Sequence, residues 1–167
     1  DPSSSRYRTG VSVEPMERLF ALYLTDTGRH KLFLNRLFNV PETGLDEIWT
    51  TDTDDVTGIL AANIDRTRDI GIDKTWPARF LLRLMELQVG DVYSNASTII
   101  DHIRQIKTEE EQQKMRVASR CNDTSIEELI PLVSKGMTEA ELGEQLLKIY
   151  LKNGAQGHSF EPIIAYG

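Results

Sequence analysis

Ile103-Arg104-Gln105-Ile106-Lys107-Thr108-Glu109-Glu110-Glu111 is the stretch at which the pattern of the chain changes. Before it, short strand-like and helix-like runs alternate, the signature of a sheet covered by helices. After it come two longer helical patterns. Thr108 and Glu111 fit the Thr-x-x-Glu capping box, in which hydroxyl and carboxylate answer each other's unpaired amides. The reading is an α/β domain over residues 1–107 and the opening of a second domain over residues 108–167.

Upstream of the junction, Arg18 to Thr25 and Lys31 to Leu34 flank Asp26-Thr27-Gly28, which predicts a hairpin. A strand is expected at Glu47 to Thr50. Asp54-Asp55 then caps a helix from Val56 to Ile64, because carboxylates satisfy free amides at a helix start. Ile70 to Ile72 reads as a strand. Pro77 opens a helix whose Phe80, Leu81, Leu84 and Leu87 recur on one face and which Gly90 ends. Val92 to Ser94 and Ser97 to Arg104 complete the domain as a strand and a helix. Asp1-Pro2-Ser3-Ser4-Ser5 reads as turn-forming, and the missing initiator methionine suggests that a preceding strand and helix are lost.

Downstream, Gly136 is expected to stop the first long helix. Thr138 and Glu141 form a second capping box, and Asn153-Gly154 stop the second helix. Leu142, Leu146, Ile149 and Tyr150 supply its apolar stripe. Phe160 to Ala165 reads as a strand with nothing after it, so the chain is taken for a fragment.

Composition narrows the function classes. Of 167 residues, 40% are apolar and 27% charged, an ordinary globular balance. The net charge of -7 is spread over the chain, with 13 basic and 16 acidic groups in residues 1–107 and 6 against 10 in the rest. No basic stripe suggests nucleic acid. No apolar run approaches the ~20 residues of a membrane span. The single cysteine, Cys121, has no disulfide partner, which fits a reducing, cytoplasmic compartment.

Side-chain chemistry alone identifies no active site. Asp52, Asp54 and Asp55 are close enough to suggest a cation site, yet they lack the glycine and terminal glutamate of an EF-hand, and capping is the better reading. Glu109 to Glu111 lie in a first helical turn, where the dipole favours negative charge. His30, His102 and His158 have no zinc-type spacing. Cys121 is read as a core thiol.

Several words stand in a fixed order. They are Tyr7-Arg8-Thr9-Gly10-Val11, Glu14-Pro15-Met16-Glu17-Arg18-Leu19, the junction stretch with Lys114-Met115-Arg116-Val117-Ala118, Gly136-Met137-Thr138-Glu139-Ala140-Glu141-Leu142, and Ser159-Phe160-Glu161-Pro162-Ile163-Ile164-Ala165-Tyr166-Gly167. In that order they resemble prolidase-type Xaa-Pro peptidases, although the first departs at two places from the family's Tyr-Leu-Thr-Gly-Phe. The resemblance implies a creatinase/prolidase N-terminal domain, a mixed sheet with flanking helices. The first helices and strand of an α+β pita-bread domain would follow it.

It further implies that the intact enzyme binds two divalent metals, manganese, zinc or cobalt, through ligands beyond Gly167. They would hydrolyse the bond before proline in dipeptides or short peptides. This fragment is expected to bind no metal and to be inactive. A homodimer is implied, in which the loop bearing Glu14, Met16 and Arg18 reaches the partner's active site, Arg18 meeting a carboxylate. Phe160 and Ile163 would line the pocket for the residue before proline. An aminopeptidase P, a creatine amidinohydrolase and a pseudopeptidase binding module share the fold and stay open as alternatives.

Overall fold

A computed structural model of the chain describes residues 2–133 and 136–166. Asp1, first in the opening string, and Gly167, last in the final word, lie outside the described residues. The chain divides into two compact units, Asp1–Ile106 and Lys107–Gly167.

The first unit runs α1 (Pro2–Thr9), β1 (Ala21–Tyr23), β2 (Lys31–Asn35), β3 (Asp46–Thr50), α2 (Val56–Ala62), β4 (Ile70–Ile72), α3 (Ala78–Glu86), β5 (Tyr93–Asn95) and α4 (Ser97–Gln105). It is α/β with a mixed sheet, as expected. β1 and β2 form the antiparallel hairpin, Ala21 opposite Phe33, while β2 and β3 pair in parallel, Phe33 opposite Ile48. β4 and β5 form a separate parallel pair.

The central position of β2 explains its apolar Leu32-Phe33-Leu34 run, because a strand covered on both faces has no polar side to present. Phe33 joins Leu19, Leu60, Phe80, Leu84 and Val89 on one face. Leu32 and Leu34 join Phe20 on the other, with Trp49 and Phe38 packed against them. Each such large apolar side chain contributes roughly 1.5–3 kcal/mol on burial. Thr50, almost fully buried, satisfies its hydroxyl on the Leu34 carbonyl at 3.1 Å.

The second unit holds α5 (Glu109–Leu129), a 3₁₀ turn (Ile130–Leu132) and α6 (Glu139–Lys152). Both capping boxes form as read, Thr108 with Glu111 and Thr138 with Glu141. Leu129, Leu142, Leu146 and Ile149 make its core. Lys152 pairs with Glu128 at 2.7 Å, and the Tyr150 hydroxyl meets Asn122 Oδ1 at 2.5 Å.

Four local expectations change. Residues 2–9 form a helix rather than a turn, ended by Gly10 at φ 73° with its amide on the Arg6 carbonyl. α3 ends before Gly90: Gln88 takes the left-handed position at φ 50°, and the Gln88 and Val89 amides return to the Met85 and Leu84 carbonyls. α5 gives way to the 3₁₀ turn at Ile130, well short of Gly136. Pro131 has no amide to continue the ladder. Residues 160–165 form no strand, because no neighbouring strand among the described residues offers them hydrogen bonds.

Candidate functional site

The loop between α1 and β1 is fastened at both ends by apolar side chains. Val11 on one side and Leu19 and Phe20 on the other are buried. Between these anchors the chain lifts out into solvent, leaving Glu14 exposed and Met16 at 74% exposure. A turn forms the tip, where the Arg18 amide donates to the Pro15 carbonyl at 2.9 Å. Met16, the second residue of that turn, stands at φ 51° and Glu17 has no positive φ. Positive φ at the second position alone is the II′ pattern, which glycine normally occupies.

Arg18 turns back from this tip. Its Nε donates to Asp52 Oδ1 at 2.9 Å and its Nη2 to Asp52 Oδ2 at 2.8 Å, a fork-to-carboxylate match. Its Nη1 lies 3.1 Å from Glu17 Oε1. Asp52 Oδ1 also accepts from Asn35 Nδ2 at 2.8 Å, and Asn35 Oδ1 accepts from the Leu37 amide at 2.9 Å. Asn35 is the last residue of β2 and is 2% exposed, so the chain of contacts runs from the loop tip to the end of the central strand.

The electrostatics follow from this pairing. Hydrogen bonding to Arg18 holds the Asp52 carboxyl below its ordinary value, with Asn35 adding to the effect against partial desolvation. The bond to Asp52 correspondingly raises Arg18.

The remaining aspartates divide their work. Asp55 caps α2 by accepting from the Gly58 amide, as read, whereas Asp54 closes a turn on Thr51, whose hydroxyl and amide lower its carboxyl. Asp52 caps nothing and serves Arg18. That partnership has no local signal, since 34 residues separate the two positions. Glu111 closes the α5 capping box, and Glu110 pairs with Lys114 at 2.6 Å.

In the second unit Phe160 and Ile163 are 77% and 93% exposed, while their neighbour Ile164 packs on the α6 cluster. The Tyr166 amide donates to Glu139 Oε1 at 3.0 Å and ties this segment to the start of α6. Cys121 is part-buried, its Sγ 3.6 Å from the Asn153 carbonyl. His30 Nδ1 accepts from the Thr25 amide at 3.3 Å, and His158 stands edge-on to Tyr150.

Among the described residues no group of three His, Cys, Asp or Glu side chains is placed to hold a metal ion. The described residues therefore do not form a two-metal donor set. Chemically, this arrangement can position a loop and offer apolar side chains. Among the described residues no helix is long and apolar enough to cross a membrane.

Comparison with known proteins gives two family models in the order of the two units. The Creatinase/Prolidase N-terminal domain matches residues 1–106, and Metallopeptidase family M24 matches residues 113–167. An uncharacterized peptidase of Staphylococcus aureus (strain USA300) is 24% identical over 177 residues, covering 99% of this chain and 48% of that protein. The chain thus spans about half the length of the relatives it matches.

Among solved structures, a dipeptidase from Pyrococcus horikoshii OT3 superposes with a TM-score of 0.77 at 25% identity, covering 96% of this chain and 46% of that one. A prolidase from Thermococcus sibiricus gives 0.75 at 25%, covering 95% and 45%. The dipeptidase PepE of Mycobacterium ulcerans gives 0.79 at 21%, covering 95% and 44%, a likeness of fold alone.

Proposed function

We propose that this chain, which belongs to the Creatinase/Prolidase N-terminal domain family, is the amino-terminal part of a metal-dependent peptidase that cleaves the bond before proline in dipeptides or short peptides. The observation that carries the reading is the succession of the two family matches along one chain. The second unit is then the opening of the pita-bread catalytic domain, and the boundary falls at the Lys107-Thr108 junction.

The metals would be two divalent ions, manganese, zinc or cobalt, held by residues outside this chain. Bound there, they would supply an activated water and polarise the scissile carbonyl. The described residues offer no such donor set, so this chain contributes binding and positioning. Glu14, Met16 and Arg18 belong to a loop that faces substrate, across a homodimer. Phe160 and Ile163 line the pocket for the residue before proline. Their exposure leaves them available for that role. The lone cysteine is in keeping with a cytoplasmic setting.

The test uses the full-length protein stripped with chelator and then given manganese, cobalt or zinc. Release of free proline from Leu-Pro that disappears with the metal and returns with it is expected. Binding of protein partners without any hydrolysis would replace this reading with that of a binding module.

A further inference from the structure

Asn153-Gly154 is the one Asn-Gly pair in the sequence. Asparagine is a chemically labile residue, and most so ahead of glycine, which has no side chain to shield its amide nitrogen. That nitrogen can attack the asparagine Cγ. A five-membered succinimide closes as the N–Cγ bond forms and the Cγ–Nδ2 bond breaks, Nδ2 leaving as ammonia with the proton of the glycine amide. Water then opens the ring to aspartate, or to isoaspartate, in which the main chain runs through the former side chain. The reaction consumes nothing but water.

The fold ties down both reacting groups. The nucleophile belongs to the closure of α6, where the Gly154 amide donates to the Leu151 carbonyl at 3.2 Å and the Ala155 amide to the Tyr150 carbonyl at 3.0 Å. With Gly154 at φ 91°, these two bonds make a Schellman cap. Asn153 stands at ψ 10°, which turns the Gly154 nitrogen away from the Asn153 side chain. The electrophile is held on α5 instead. Asn153 Nδ2 donates to the Ser125 Oγ at 3.1 Å, and Ser125 is fully buried.

We propose that Asn153 is a latent modification site: the contact between α5 and α6 keeps it an amide, and opening of the last turn of α6 commits it to spontaneous deamidation. Conversion then keeps that turn open. A carboxylate at 153 cannot donate to Ser125. It also puts negative charge at the C-terminal end of α6, where the helix dipole disfavours it. The new charge falls beside Glu128, whose carboxyl is held below its ordinary value first by Lys152 and also by Asn153.

The experiment incubates the full-length protein and its Ser125→Ala variant, each folded and unfolded in guanidinium, warm and at mildly alkaline pH. Peptide mass mapping reads conversion at each asparagine, and an isoaspartyl methyltransferase labels the isoaspartate. In the unfolded chain Asn153 should convert well ahead of Asn35, Asn39, Asn63, Asn95 and Asn122, and Gly154→Ala should slow it to their rate. Folding should slow Asn153 by at least about tenfold, because the turn must open first. Ser125→Ala should speed the folded rate about fivefold, the size of one lost neutral hydrogen bond. Hydrogen exchange at the Gly154 amide should rise with it, while exchange at the Leu129 amide stays as in wild type. Asn153→Asp should speed exchange at the Ala155 amide.

An unfolded Asn153 that converts no faster than the other asparagines would overturn the site. Equal rates in folded and unfolded wild type would overturn the protection, and this comparison decides it even if Ser125→Ala does not fold. An unchanged rate in folded Ser125→Ala would overturn the part given to Ser125. Unchanged exchange in Asn153→Asp would overturn the opening that follows conversion.

Discussion

Gly71 of β4 lies so close to Ala96 that a Cβ on Gly71 would stand 2.5 Å from the Ala96 Cβ. The approach is fixed by backbone pairing, since β4 and β5 run in parallel and the Ala96 amide donates to the Ile72 carbonyl at 3.0 Å. Neither methyl can swing aside. Gly71→Ala should therefore destabilise the protein by about 1–3 kcal/mol, the range for overpacking. Adding Ala96→Gly should restore most of it. Urea denaturation of the two variants checks this, and a double variant no better than the single one would contradict it.

Gln88 is a second strained position, closing α3 in the left-handed conformation where glycine is the usual residue. Such a conformation costs a side-chain-bearing residue about 1–2 kcal/mol, and the greater freedom of an unfolded glycine offsets about half of that. Gln88→Gly should then stabilise the protein by about 0.5–1 kcal/mol and raise its melting temperature. A lower melting temperature would mean that the Gln88 side chain makes a contact worth more than the strain.

The Arg18–Asp52 pair predicts a direction with pH. The folded Asp52 carboxyl titrates below its ordinary value because Arg18 donates to it. A depressed carboxyl contributes stability that is fully present above the unfolded value and is lost as pH falls through the folded one. Asp52→Asn should thus melt lower than wild type at neutral pH, and the gap should close in acid below the ordinary carboxyl range. Asp52 is half exposed and Arg18 a quarter exposed, so solvent screens the pair and the gap is small and shrinks in high salt. A gap that widens in acid would contradict the assignment.

Local chemistry explains which parts of this fold were legible. The hairpin, the capping boxes at Thr108 and Thr138 and the Asp55 cap lie within a few residues of their partners, and all formed. The opening helix was hidden by three serines, poor helix formers, although Pro2 at its first position is a known start signal. Residues 160–165 carry strand-like side chains, but a strand is a relationship with a neighbour, which side chains alone do not reveal. The Arg18–Asp52–Asn35 chain joins positions 17 and 34 residues apart, so no spacing rule reaches it. Motif order carried the family where chemistry could not, because the described residues hold no metal-ligand group to read.

The activity proposed for the full-length protein is selective cleavage of the bond before proline. The most direct measurement is kcat/KM of the metal-loaded, full-length protein on Leu-Pro beside Leu-Gly and Leu-Ala, followed by release of the free amino acids. Rapid proline release from Leu-Pro and little or no cleavage of the other two are expected. Equal cleavage of all three, or cleavage of Leu-Ala alone, would contradict it.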